Sequence, residues 1–277
     1  MWKTAWKKPQ IINKRETHMK TNVKVGVIGI GNMGGAIADA LAAGNIASHN
    51  LWISDINTTA TYAFKHKFTD VQVTSSQELA SAVDILILAV KPWLVETVLS
   101  ELSPKLSDKH LLISIAAGVD FETLGKLLPS MPLFRIIPNT AIAVHESMSF
   151  IAAHNATEAQ TKVVVELFEP MGKIMVIPES LMTAATSLAS CGIAYALRYL
   201  RAASEGGVEL GFTASAAHQI VAQTMVGAAQ LILQQDTHPE AEIDKVCTPG
   251  GWTIKGLNAM EEAGFTNAVI QGLLTNK

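Results

Sequence analysis

Short apolar segments alternate with amphipathic stretches from residue 23 to about residue 178. Residues 85–89 are continuously apolar, as in a parallel strand that is covered on both faces. Residues 94–102 and 158–168 instead have the spacing of amphipathic helices. This repeated order of strand and helix predicts a doubly wound α/β sheet with right-handed crossovers. The predicted strands are residues 23–28, 51–53, 71–73, 85–89, 111–115, 134–137, 149–152 and 174–177.

The pattern changes after Pro178, where we expect helices and no strand. Residues 180–204 predict one long helix rich in Ala and Leu, and residues 213–234 predict a second, opened by a Thr or Ser cap. Gly206 and Gly207 are expected to end or kink the first helix. A short helix, a Pro-Gly-Gly loop and a closing helix follow. We therefore predict an α/β domain over residues 20–178 and an all-α domain over residues 179–277.

Residues 1–18 are basic, but no apolar segment follows them, so they do not resemble a secretory signal. We expect residues 1–19 to form a disordered extension. An upstream start, with Met19 as the natural first residue, and a transit-like role are the alternatives.

Composition excludes several function classes. Hydrophobic residues make up 49% of the chain and charged residues 16%, which argues against intrinsic disorder. The net charge of -3 gives no electrostatic case for a nucleic-acid partner. The longest uninterrupted apolar run, residues 85–90, is far shorter than the roughly 20 residues of a membrane-spanning helix, so we expect no membrane partner.

The cysteines and histidines predict neither a disulfide scaffold nor a metal site. Cys191 and Cys247 are the two cysteines, and neither belongs to a CxxC pair. Two free thiols fit a reducing compartment, which favours a cytoplasmic location. The histidines are scattered and form no recognised metal-binding pattern, so we expect no metal.

A GxGxxG motif follows the first predicted strand and opens a predicted helix, which is the context that a dinucleotide site requires. Gly29 permits the tight turn, Gly31 lets the backbone approach a pyrophosphate, and Gly34 permits close helix-strand packing. The helix N-terminus offers unpaired N–H groups to the phosphates. The predicted cofactor-binding residues of this turn are Gly29, Ile30, Gly31, Asn32, Met33 and Gly34.

The second strand ends at Ser54 and Asp55, where an acid normally binds the adenosine ribose of NAD. Ser54 is also able to donate to the 2′-phosphate of NADP, and Asp55 is alternatively a cap for the next helix. No Arg follows closely, which weakens the case for NADP. The residues alone leave both NADPH and NADH open.

Further cofactor-lining residues are expected where other predicted strands end, because ligands bind at the carboxyl edge of such sheets. Lys91 and Asn139 are the polar groups most expected to face the cofactor. Ordinary loop chemistry is the alternative, with Pro92 starting a helix and Asn139 making a turn. The predicted lining residues are Ala89, Val90, Lys91, Pro92, Ala117, Gly118 and Asn139.

A Pro-Gly-Gly loop at residues 249–251 precedes the last predicted helix. Two glycines before a helix start expose several N–H groups at a positive helix end, which suits a carboxylate. Thr253 adds a hydroxyl that donates or accepts a hydrogen bond. A flexible loop followed by a Thr cap is the alternative.

These motifs together resemble the pyrroline-5-carboxylate reductase family, in order and spacing, over roughly residues 20–275. The combination is specific, because the Gln-Thr and Pro-Gly-Gly segments do not accompany the first half in most dehydrogenases. The matching segments are residues 29–37 (GIGNMGGAI), 89–92 (AVKP), Arg135 with 138–140 (PNT), 223–229 (QTMVGAA), 238–239 (HP) and 249–254 (PGGWTI).

The resemblance implies reduction of the cyclic imine 1-pyrroline-5-carboxylate to L-proline with NAD(P)H, the last step of proline synthesis. It also implies that residues 20–178 are a Rossmann domain and residues 179–277 a substrate-binding domain that interlocks two subunits. The loop that binds the substrate carboxylate in the family corresponds to residues 248–253 here. The family's threonine that bonds the ring nitrogen corresponds to Thr253. The implied substrate-binding residues are Thr248, Gly250, Gly251, Trp252 and Thr253, with Thr253 catalytic.

The chain departs from the family pattern in two segments. Cys191 and Ile193 stand where the family's usual Gly-Ser-Gly-Pro-Ala-Tyr segment has Ser and Pro, and Trp252 stands where a small residue is usual. A side chain of that size either points away from the substrate or narrows its pocket. A dinucleotide-binding dimer without turnover is therefore one alternative. A related imine or 3-hydroxyacid dehydrogenase is another, although residues 180–204 lack the lysine typical of hydroxyacid enzymes.

Overall fold

The computed structural model describes residues 23–275, so the predicted extension at residues 1–19 lies outside the described residues. The described residues form two compact units, which divide between Ser190 and Cys191. The boundary near Pro178 stays a prediction.

An eight-stranded sheet forms the centre of the first unit. Its spatial order is β3-β2-β1-β4-β5-β6-β7-β8, so the chain reverses direction across the sheet at β1, as in a doubly wound fold. The strands are β1 (Val25–Ile28), β2 (Leu51–Ser54), β3 (Gln72–Val73), β4 (Ile85–Leu88), β5 (Leu111–Ser114), β6 (Leu133–Ile137), β7 (Ser147–His154) and β8 (Gly172–Val176). The predicted α/β fold class is confirmed.

One neighbouring pair, β6 and β7, is antiparallel, which the expected series of crossovers did not predict. The connection between them is a 3-10 turn, Thr140–Val144, closed by His145 in the left-handed conformation at φ 58°. A parallel connection needs about a dozen residues or more. The link is too short for such a crossover, so the chain returns as a hairpin.

Helices cover both faces of the sheet, and the side chains of the central strands alternate between the two cores. Ile85 and Ile87 of β4 pack in one cluster, whereas Leu86 and Leu88 pack in the other. This explains the continuous apolar run in the sequence. The helices of the first unit are α1 (Asn32–Ala40), α2 (Thr58–Lys67), α3 (Ser76–Ala82), α4 (Val95–Leu102), α5 (Phe121–Leu127), α6 (Glu158–Phe168) and α7 (Met182–Ala185).

Gly172, at the start of β8, is a position that only glycine fits. Its φ of 142° and ψ of -150° lie in a region essentially restricted to glycine. A Cβ there would lie 2.1 Å from the backbone oxygen of Ser147 on β7. We expect Gly172→Ala to lower the free energy of unfolding by about 3 kcal/mol, measured by urea denaturation.

Gly125→Ala is the matched control for this substitution, because a Cβ at Gly125 in α5 meets no atom within 4 Å. We expect that variant to be as stable as the unchanged protein or slightly more stable, since alanine favours helix. Equal stability of the two variants would contradict the backbone clash at Gly172.

Helices and no strands make up the described residues from 179 onward, as predicted. The predicted single helix over residues 180–204 is wrong in detail. A 3-10 turn (Glu179–Leu181), α7 and a π-helical turn (Thr186–Cys191) precede the longer helix. The helices of the second unit are α8 (Gly192–Glu209), α9 (Ala214–Gln235), α10 (Pro239–Val246), α11 (Trp252–Glu262) and α12 (Phe265–Leu274).

Glycines set two features of the second unit that the sequence pattern did not predict. Gly206 and Gly207 lie inside α8, which continues to Glu209, so they do not end it. A Cβ at Gly207 would lie 3.0 Å from the Cβ of Ala217, so this glycine permits close packing of α8 on α9. The single closing helix is also wrong, because Gly264 separates α11 from α12 in the left-handed conformation at φ 82°.

Among the described residues, one helical stretch is long and apolar enough to cross a membrane by length and composition, Glu179–Glu209. The sequence pattern did not predict this stretch, because polar residues interrupt its apolar runs. Only 17% of its most apolar part is buried within the chain. A helix that packs against protein is just as apolar, so composition alone does not identify what covers it.

Candidate functional site

The glycine turn joins β1 to α1 at the carboxyl edge of the sheet. Gly29 has φ 90°, and a Cβ there would lie 2.8 Å from the backbone oxygen of Ala89. A Cβ at Gly34 would lie 1.9 Å from the backbone oxygen of Gly29, so α1 packs directly on the turn. Gly29 and Gly34 are therefore required by the protein's own packing.

Gly31 differs from those two glycines, because a Cβ at this position meets no protein atom within 4 Å. It is the N-cap of α1 and provides no side-chain hydrogen bond to the helix. Its backbone therefore faces open space, and the first N–H groups of α1 have no side-chain cap. This geometry fits a pyrophosphate on the helix N-terminus, which is the ligand that the motif predicts.

The end of β2 lies beside this turn. The Asp55 carboxylate accepts hydrogen bonds from the backbone N–H of Ile30 at 2.7 Å and of Asn57 at 2.7 Å. The side chain that caps α2 is Asn57, so the alternative of Asp55 as the helix cap is wrong. The Ser54 hydroxyl lies 3.0 Å from the hydroxyl of Ser76.

The loop after β4 starts a 3-10 turn (Pro92–Leu94), and Lys91 lies at its N-cap position with an exposed side chain.

The loop after β5 turns at Gly118, whose φ is 79°, and Ala117 is exposed beside it. Asp120 then caps α5. Thr123 donates backbone and side-chain hydrogen bonds that lower the pKa of this carboxyl, and nearby Arg135 adds to the effect.

Asn139 is buried at the end of β6 and held by β7. Its backbone N–H donates to the Ser147 hydroxyl at 3.1 Å, and its side-chain oxygen accepts from the backbone N–H of Ala141 at 3.0 Å. The predicted turn at Asn139 is thus present, and Ser147 fixes its position. Sequence reasoning missed Ser147, because its contact depends on the β6–β7 hairpin.

The five predicted segments therefore meet at one edge of the sheet. Parallel strands β1, β2, β4, β5 and β6 all end there, so the residues that follow them are neighbours in space. No group of three or more His, Cys, Asp or Glu side chains that could hold a metal ion occurs among the described residues.

Arg135, which belongs to the motif of the resemblance, has a packing role in the first unit. Its guanidinium lies 2.7 Å from the Glu179 carboxylate, and its side chain is only 10% exposed. The same carboxylate oxygen accepts the backbone N–H of Phe121 at 2.7 Å. Glu179 therefore links the segment that follows β8 to β6 through the ion pair and to α5 through the hydrogen bond.

The Pro-Gly-Gly segment forms a tight turn in the second unit. The backbone N–H of Gly251 donates to the backbone oxygen of Thr248 at 2.9 Å, and Gly250 has φ 70°. Pro at the second position and a positive φ at the third are typical of a type II turn. The turn ends where α11 begins.

The N-cap of α11 is Gly251 and not a threonine, so the alternative of a Thr cap is wrong. This glycine has no side chain to satisfy the helix N–H groups, and a Cβ on it would lie 2.4 Å from the Thr248 hydroxyl oxygen. Thr253 is exposed in the first turn of α11, and Trp252 before it is 92% exposed. The start of α11 thus presents N–H groups without a side-chain cap, a hydroxyl and an indole.

Comparison with known proteins covers both halves of the chain. Residues 179–276 match the family described as pyrroline-5-carboxylate reductase dimerisation, and residues 24–118 match the one described as NADP oxidoreductase, coenzyme F420-dependent. Pyrroline-5-carboxylate reductase from Methanosarcina acetivorans is 37% identical over 257 residues, which cover 90% of this chain and 95% of the relative. The chain belongs to the pyrroline-5-carboxylate reductase family.

Other pyrroline-5-carboxylate reductases agree in sequence and in fold. Pyrroline-5-carboxylate reductase 1 from Dictyostelium discoideum is 36% identical over 266 residues, and the chain spans about half (48%) of that relative's length. The crystal structure of the Plasmodium falciparum enzyme with NADP bound has a TM-score of 0.85 and 29% identity, covering 93% of this chain and 96% of that one. The resemblance predicted from the motifs is confirmed.

Proposed function

We propose that the chain reduces 1-pyrroline-5-carboxylate to L-proline with NAD(P)H, the last step of proline synthesis. Membership of the pyrroline-5-carboxylate reductase family, over both the α/β and the helical parts, is the observation that carries this proposal. The chain is accordingly an NAD(P)H-dependent oxidoreductase that acts on a C=N bond.

The glycine turn fits the dinucleotide. The open space above Gly31 leaves room for the pyrophosphate, and the uncapped N–H groups of α1 bind its charge. We assign the cofactor to this turn and to the other strand ends at the same edge, with Lys91 and Asn139 as polar contacts. The cofactor supplies a hydride when bound, and the protein's task is to bind and orient it.

The Pro-Gly-Gly turn is the proposed binding site of the substrate carboxylate. The N–H groups of the first turn of α11, which have no side-chain cap at Gly251, donate to the carboxylate at the positive end of the helix dipole. The hydroxyl of Thr253 binds the ring nitrogen. The Thr248 hydroxyl and the Trp252 indole form the sides of the proposed site.

This arrangement needs no separate acid-base pair. A protonated imine is already electrophilic, so orientation of the two reactants supplies most of the rate enhancement. The hydride adds to the imine carbon, the C=N electron pair moves to nitrogen, and the proton already on nitrogen stays on the product amine. Thr253 holds that nitrogen in place through the reaction.

The helical part is the proposed assembly surface. Apolar side chains on α8, α9 and α12 are exposed in the single chain, including Leu197, Val226 and Ile270. The family match names this region for dimerisation, which supports a homo-oligomer with a dimer as its core. A second copy would cover the apolar surface of residues 179–209.

A cytoplasmic location stays a prediction that rests on two free cysteines.

Steady-state kinetics test this proposal. The purified full chain would be mixed with 1-pyrroline-5-carboxylate and either NADH or NADPH, and cofactor oxidation followed by absorbance. We expect saturable oxidation with at least one cofactor and formation of L-proline. Cofactor binding without oxidation of either form would contradict the proposal and support the alternative of a dimer without turnover, with Trp252 as its cause.

A further inference from the structure

The carboxylate of Asp55 is fixed beside the glycine turn. One oxygen accepts the N–H of Ile30, which lies within the turn, and the other accepts the N–H of Asn57, both at 2.7 Å. A carboxylate with two bonded oxygens still has lone pairs free to accept further donors. Turning it away would break both bonds, so its negative charge stays where the adenosine ribose of a dinucleotide lies.

No cation balances this charge within the segment that follows β2. Residues 54–58 contain neither Lys nor Arg. The lysines of α2 lie at its far end and have other partners: Lys65 donates to the backbone oxygen of Val71, and Lys67 pairs with Asp39, both at 2.6 Å. The Ser54 hydroxyl is within hydrogen-bonding distance of Ser76.

We infer that Asp55 makes this chain prefer NADH over NADPH. The inference rests on the proposed function and names its cofactor. The two ribose hydroxyls of NADH donate to the free lone pairs of the carboxylate. In NADPH one hydroxyl is replaced by a 2′-phosphate, which the fixed carboxylate repels and no neighbouring cation in residues 54–58 neutralises. Lys91, exposed on the β4 side of the turn, is the cation that could oppose this effect.

Binding in the absence of substrate tests the inference. Dissociation constants of NADH and NADPH for the full chain would be measured by quenching of tryptophan fluorescence. We expect NADH to bind at least about tenfold more tightly. In Asp55→Asn, which keeps the size and one acceptor oxygen, we expect that ratio to fall about tenfold or more. Asp55→Ser is the second variant if Asp55→Asn does not fold.

Asp84→Asn is the matched control. Asp84 also accepts a backbone N–H, that of Lys24 at 2.8 Å, but it precedes β4 and so lies at the opposite edge of the sheet. We expect this variant to keep the cofactor ratio of the unchanged protein. A ratio that falls equally in both variants would overturn the specific role of Asp55.

Other outcomes separate this inference from the proposed function. Equal or tighter binding of NADPH by the unchanged chain would overturn the inference and leave the reductase proposal standing. An NADPH preference that disappears in Lys91→Ala would overturn it too, with Lys91 as the residue that binds the 2′-phosphate. Binding of neither cofactor would contradict the proposed function itself.

Discussion

Gly31→Ala is expected to weaken cofactor binding strongly without unfolding the protein. The backbone of Gly31, at φ -65° and ψ -164°, is in an extended conformation that alanine adopts freely. The added Cβ touches no protein atom within 4 Å, so the fold tolerates it. It points into the open space where the pyrophosphate would approach the backbone. We expect the dissociation constants of NADH and NADPH both to rise about 100-fold.

Two glycine variants control this experiment. Gly34→Ala places its Cβ 1.9 Å from the backbone oxygen of Gly29, so we expect it to lose both thermal stability and cofactor binding. Gly125→Ala, which has open space in α5, should lose neither. Unchanged cofactor affinity in a folded Gly31→Ala protein would contradict the pyrophosphate site on this turn.

Thr253→Ala is expected to lower kcat/KM about 100-fold, the effect of losing one hydrogen bond to a charged group. The hydroxyl of Thr253 has no hydrogen-bond partner among the described residues, and Gly251 caps the helix in its place. Removal of the hydroxyl should therefore leave the melting temperature unchanged. Steady-state kinetics with 1-pyrroline-5-carboxylate, together with cofactor dissociation constants, measure the effect.

Conservative and distant substitutions make the Thr253 result specific. Thr253→Ser keeps the hydroxyl and should restore most of kcat/KM, since the methyl group has no assigned contact. Thr266→Ala in α12 removes a hydroxyl that bonds Glu261 at 2.6 Å and should leave the kinetics unchanged. Wild-type kcat/KM in Thr253→Ala would show that this hydroxyl does not bind the ring nitrogen.

The features that sequence predicted best are those with local causes. The glycine turn follows from steric demands at Gly29 and Gly34, which act between residues a few positions apart or on adjoining strands. The β4 run is continuously apolar because its side chains enter two cores. The loop at Pro249 and Gly250 was predicted but its type II geometry was not, although the backbone preferences of these two residues select that geometry.

The features that sequence did not predict depend on distant partners. Asn139 is held by Ser147 across a hairpin, and Arg135 is paired with Glu179, 44 residues later in the chain. Glycine has a low helix propensity, yet Gly207 lies inside α8, where it packs closely on Ala217. The role of Asp55 was left open because its orientation depends on the N–H of Ile30, which only the folded turn presents.

Transfer of deuterium from the cofactor to the product tests directly whether the chain reduces 1-pyrroline-5-carboxylate. The full chain would be incubated with 1-pyrroline-5-carboxylate and NADH or NADPH carrying deuterium at the transferable position of the nicotinamide. We expect L-proline with one deuterium on the former imine carbon, detected by mass spectrometry and NMR. We also expect Thr253→Ala to form this product far more slowly while binding the cofactor normally. Bound cofactor with no deuterated proline from the unchanged chain would contradict the proposed reductase activity.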